Sequence, residues 1–299
     1  MLKFTSASPA HLLAGLLATS FVSAGAPAQN PPAGSSASAP PAANANPSSP
    51  APARPDVNAA FLAKASQLYY STAKAGLKAF DCAVHPDWRT AVLSAAPGTT
   101  VADDDPDILL LKTVKITLHG RLAGGSTLDW NPAAIPAKPL DRQSTDLLDH
   151  MHSAADRTLT GFMQFWSPFV DGSVIPATPD GLQITHDAKG HTIHADQEGT
   201  SLTEILDNDL VMQQFNVVMG GAKINFSPRY KPTGQSLLVN AFQARIQGPS
   251  DPPEQAEQMH VEVDYQTIAG FPIPSRISME VVGQSKFDAT LDGCTVNPE

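Results

Sequence analysis

The chain has 299 residues, 42% hydrophobic and 16% charged, with a formal net charge of −10. That acidity excludes the basic footprint of a protein that wraps a phosphate backbone. Only two cysteines are present, too few for a disulfide-dense miniature scaffold or a four-cysteine zinc site, and no apolar run reaches the ~18 residues of a membrane span.

Residues 1–26 read as a secretory signal peptide. Lys3 supplies the positive start, His11 to about Val22 carries the apolar stretch, and small residues follow at Ala24 and Ala26. The other reading, an N-terminal membrane anchor, needs a longer apolar core. No cysteine follows the apolar stretch, so the chain is not expected to be lipidated. These features place it in the periplasm or outside the cell. Residues 27–56 hold nine prolines and only two charges, Arg54 and Asp56. Such a segment reads as a disordered, semi-stiff linker. It serves either as a tether or as a plain tail.

The folded part is expected over 57–299, as one domain. Val57 to Lys78 shows helical spacing through Phe61, Leu62, Ala65, Leu68, Tyr69, Ala73 and Leu77. A short strand follows at 80–84, and Pro86-Asp87-Trp88 opens a short helix. Residues 98–106 are turn chemistry, 108–118 read as a strand, Gly120, Gly124 and Gly125 punctuate a turn, and Leu128 and Trp130 continue into another short strand. The second long helix spans Thr145 to Phe169, with Pro168 as its stop. From Gly181 the pattern is almost wholly β. Strands are expected at 182–186, 190–196, 201–206, 210–218, 222–229, 235–247, 258–268, 272–282 and 284–292, joined by short turns and hence antiparallel.

The run Tyr265-Gln266-x-Ile268-x-Gly270-Phe271-x-Ile273-Pro274-x-Arg276 resembles the penultimate hairpin of the outer-membrane lipoprotein-sorting and periplasmic lipoprotein-carrier family. Leu68-Tyr69-Tyr70, Gly76-Leu77 and Phe80-Asp81-Cys82 resemble its opening, and the order of helix, strands, helix and strands is similar. The resemblance implies an α+β fold: a single strongly curved antiparallel sheet, an open half-barrel, with two long amphipathic helices on its concave side. It also implies a non-enzymatic protein that binds a lipid or the acyl chain of an acylated protein in an apolar cavity. The candidate lining is Met151, Phe162, Met163, Phe165 and Trp166, soft side chains that adapt to alkyl shapes. The same residues suit an ordinary core stripe, which leaves open an envelope interaction module with a filled core and a protein partner.

Cys82 and Cys294 fall on the first and last strands and are expected to pair in an oxidising compartment. His186 and His191 should face one another across a turn, with His194 on the opposite face. Two ligands are too few for a metal site, so no metal or other cofactor is expected. His150 and His152 cannot share a helix face, and Asp103-Asp104-Asp105 lacks the remainder of a calcium loop. The nucleophile-elbow, zincin and phosphate-loop motifs are missing. A hydrolase with an unrecognised site stays as a further alternative, since triads are defined by geometry.

Overall fold

The computed structural model describes residues 57–95, 101–132, 141–171, 174–197 and 199–297. The expected leader (1–26), the linker (27–56) and residues 133–140 lie outside them. Among the described residues there are five α-helices: α1 (Val57–Gln67), α2 (Thr72–Ala75), α3 (Trp88–Ala95), α4 (Pro106–Lys112) and α5 (Arg142–Val170). The twelve strands are β1 (Ala79–Pro86), β2 (Val114–Arg121), β3 (Thr127–Pro132), β4 (Leu182–Asp187), β5 (Gly190–Gln197), β6 (Thr200–Leu206), β7 (Met212–Met219), β8 (Ala222–Thr233), β9 (Ser236–Gln247), β10 (Glu257–Ile268), β11 (Phe271–Val281) and β12 (Ser285–Val296).

All twelve strands form one open antiparallel sheet in the order β3-β2-β1-β12-β11-β10-β9-β8-β7-β6-β5-β4. The chain enters at β1, meanders outward to the β3 edge, and crosses to the β4 edge. It then meanders back until β12 pairs with β1. α5 is the main element of that crossing. Its 29 residues span about 43 Å at 1.5 Å per residue, which is why so long a helix is needed between opposite edges. Cys82 and Cys294 are disulfide-bonded where β1 and β12 meet. The register shifts by one residue there, and Gly293 takes a φ of 57° in the resulting bulge.

The nine strands from β4 onward match expectation to within a few residues. The N-terminal elements differ in three places. The single helix expected over 57–78 is broken: α1 ends at Gln67, and Leu68 and Tyr70 exchange backbone hydrogen bonds with Leu237 of β9. The Tyr69 side chain causes the break. Its hydroxyl donates to the Leu210 carbonyl at 2.9 Å and accepts from the Met212 amide at 2.7 Å, pinning the chain extended against the sheet. Residues 108–112 are helical, not strand. Asp105 caps α4 by accepting from the Asp107 amide, Pro106 occupies the first turn, and Ile108 and Leu111 bury one helical face. Among the described residues one long helix, α5, stands in place of the two expected. It begins earlier, capped by Asp141, and Pro168 lies inside its last turn rather than ending it.

The helices and the sheet share one core. Trp166 of α5 stacks with Phe162 and meets Phe80 of β1 edge-on. Phe169 packs against Phe215, Phe226 and Phe242 of β7, β8 and β9. Gly120 lies inside β2, not in a turn, and is opposite Phe80; a Cβ there would sit about 2.5 Å from the ring. The buried hydroxyls of Ser71 and Thr72 donate to the Asp171 and Val170 carbonyls. They satisfy the last turn of α5 and tie α2 to it.

Candidate functional site

Four of the five candidate lining residues, Met151, Phe162, Met163 and Trp166, are buried against the sheet, while Phe165 is partly exposed. The Trp166 indole N–H donates to the Tyr265 hydroxyl at 2.8 Å, and that hydroxyl donates to the Val239 carbonyl at 2.6 Å. Tyr265, in the hairpin that carries the family resemblance, therefore anchors α5 to β9 and β10. Desolvation holds the phenol well above its ordinary pKa, although the hydrogen bond from Trp166 pulls the other way.

Beyond Phe165 the cover thins. Leu182 and Ile184 of β4, Leu202 of β6, and Phe215 and Met219 of β7 pack on the core yet stay partly exposed. Phe165 meets Phe226 of β8 at 5.9 Å between ring centres, at the border of this strip. The strip is an apolar surface half covered by the helical layer.

One carboxyl interrupts it. In register across five strands run Ile184, Ile193, Glu204, Phe215 and Phe226. Glu204 is the one polar residue in that row, is 5% exposed, and its Oε2 has no hydrogen-bond partner. Desolvation raises its pKa to about 8, so it is largely protonated at neutral pH. Two tyrosines are coupled electrostatically to it. Tyr69 is already doubly hydrogen-bonded. Tyr230 packs edge-on against Tyr69 at 5.3 Å, and its buried hydroxyl is unpartnered. No Lys, Arg or His among the described residues is paired with Glu204. The signal for Glu204 was in the sequence: Leu202, Glu204 and Leu206 share the parity of an inward face.

The remaining polar groups fall elsewhere. His186 and His191 do face each other across the β4–β5 turn, with their Nδ1 atoms in contact and Phe61 against both rings. His194 bonds Thr203 and Asp196 instead. Among the described residues no three His, Cys, Asp or Glu side chains are placed to hold a metal ion together. His152 stacks on Trp130, Asp103 pairs with Arg89, and Asp105 is the α4 cap. On the outer face, His119 bridges Asp81 and Asp129, and Arg121 also reaches Asp81. Burial pulls the Asp81 pKa up, but hydrogen bonds from Arg121 and His119 outweigh it and hold the carboxyl below its usual range. Two shallow polar grooves also open on that face. One, of about 370 Å³, is lined by Arg229, Glu262 and Asp264, and the other, of about 220 Å³, by Asn225, Arg245 and His260.

No family model matches this chain, and neither does any curated protein or solved structure.

Proposed function

We propose that this is a periplasmic or secreted, non-enzymatic protein that binds an amphiphile, a lipid or the acyl chain of an acylated protein. The chain would lie between α5 and the inner face of β4–β8. The carrying observation is the partly exposed apolar strip of Phe165, Leu202, Phe215 and Met219 beside the helical layer. Each ligand methylene buried there contributes about 0.8 kcal/mol, so an alkyl tail of ordinary length supplies the affinity.

A sheet curved toward α5 would fit the same reading. His152 stacks on Trp130 of β3, and Phe169 packs on Phe215 of β7. Those helix positions are about 26 Å apart along the axis. A flat sheet would separate β3 from β7 by about 38 Å at ~4.8 Å per step. The leader-like start and the Cys82–Cys294 disulfide fit an oxidising compartment outside the cytoplasm. The second reading, an envelope interaction module, is favoured by the burial of Met151, Phe162, Met163 and Trp166.

The test is to express the whole chain in a bacterial periplasm, purify it without detergent, and compare native with denaturing mass spectra. A stoichiometric lipid that dissociates on denaturation supports the binder. Bare protein that also ignores fluorescent acyl probes leaves the interaction module.

A further inference from the structure

The half-covered strip has polar atoms of its own. The row Ile184, Ile193, Glu204, Phe215 and Phe226 would be an unbroken apolar band with a leucine at 204. A glutamate costs free energy there unless something hydrogen-bonds it. Nothing in the described chain does so at Oε2, and the neighbouring Tyr230 hydroxyl is equally unpartnered. Two buried unpartnered oxygens on one inner face, next to a half-covered apolar strip, are what a ligand head group would complete.

We infer that Glu204 and Tyr230 form the head-group end of the amphiphile site. They would select a hydrogen-bond-donating head, an alcohol or an amine, and refuse a carboxylate or phosphate. This rests on the amphiphile-binding reading above. The selectivity follows from the groups that face the position. Tyr69 from the α1–α2 connection and Tyr230 from β8 are phenols; Asp207, beyond the end of β6, adds negative charge near Tyr69. Ile193 and Phe215 from β5 and β7 are apolar. An anionic head would lose its hydration in a poorly solvated place with no paired cation among the described residues and with Asp207 nearby, and that desolvation opposes it. A hydroxyl or amine gives Glu204 Oε2 the donor it lacks, and Tyr230 supplies a second bond. Tyr69, its hydroxyl already engaged by Leu210 and Met212, fixes the wall and does not bind the head.

Three twelve-carbon probes that differ only in their heads test this on the full chain at pH 7: dodecanol, dodecylamine and laurate, titrated by calorimetry. The wild-type protein is expected to bind the alcohol or the amine at least about tenfold more tightly than laurate, a difference of roughly 1.4 kcal/mol. Whichever of the two is tighter identifies the natural head. Glu204→Leu should erase that preference while tail binding persists, with folding checked by circular dichroism. Tyr230→Phe, which removes only one hydroxyl, should weaken the preferred probe a few-fold and leave laurate unchanged. Laurate binding as tightly as the others, or a head preference that survives Glu204→Leu, overturns the assignment. Failure of all three probes to bind overturns the amphiphile reading itself, a distinct result.

Discussion

The two halves of the sheet are built to different standards. Around β1 and the middle of β9–β12 the inner face is tightly packed. Trp166 is sealed between Phe162 and Phe80, its N–H is satisfied by Tyr265, and the disulfide ties the first strand to the last. Across β4–β7 the inner face is half covered, its central row carries an unpartnered carboxyl, and Phe165 sits at the border. One half holds the fold; the other carries surface and polar atoms that the fold itself leaves unused. Local stability is expected to differ accordingly.

The largest effect should come from the closed half. The disulfide spans 212 residues of sequence. Chain entropy over such a loop amounts to about 5 kcal/mol as an upper figure. Cys82→Ser with Cys294→Ser should lower the denaturant midpoint strongly, whereas ligand affinity of the protein that remains folded should change little. Next, Trp166→Ala should cost about 3–5 kcal/mol in chemical denaturation. Phe165→Ala, one residue away but partly exposed, should cost far less and instead weaken acyl-probe binding. Equal stability losses at the two positions would erase the contrast between the halves.

Glu204 sharpens it from the other side. Its folded-state pKa of about 8 lies above the ordinary 4.5. The folded protein therefore holds a proton that the unfolded chain releases between those values. That contribution is fully present below about pH 4.5, declines as pH rises toward 8, and is flat above it, at up to about 1.4 kcal/mol per pH unit. Urea denaturation at pH 5, 6, 7 and 8 should show that downward slope, and Glu204→Leu should flatten it. The same variant should gain about 1–3 kcal/mol at pH 8, because the unpartnered carboxyl is removed. A gain in stability joined to a loss of head-group selectivity is the mark of a residue kept for binding. The smallest effect expected is from Asp141→Ala at the start of α5, about 1 kcal/mol, with no change in binding.

Much of this was legible in the sequence, and for identifiable reasons. Strands β4–β12 are short alternating runs separated by turn residues such as Gly190, Gly220-Gly221 and Gly270, and each such signal is local. The pairing of Cys82 with Cys294 followed from compartment and strand position. The elements misread are those where one side chain acts over long range or where a cap outweighs composition. Tyr69 breaks a helical pattern by hydrogen bonding to residues more than 140 positions away. Asp105-Pro106 turns an apolar run that reads as strand into α4. Glu204 does not stand out by composition, since one acid in a strand ordinarily faces water; only its parity with Leu202 and Leu206 marks it as inward. The bulges beside Tyr230 and Tyr265 leave no local trace in the sequence.

The central claim, that ligand occupies the half-covered side, is tested most directly by photo-crosslinking. A twelve-carbon alcohol bearing a diazirine near its tail, irradiated with the full chain and mapped by peptide mass spectrometry, is predicted to label Phe165, Leu202, Phe215 and Met219. Labelling confined to the polar outer face around Arg229 and Arg245, or to β1–β3, would contradict the account.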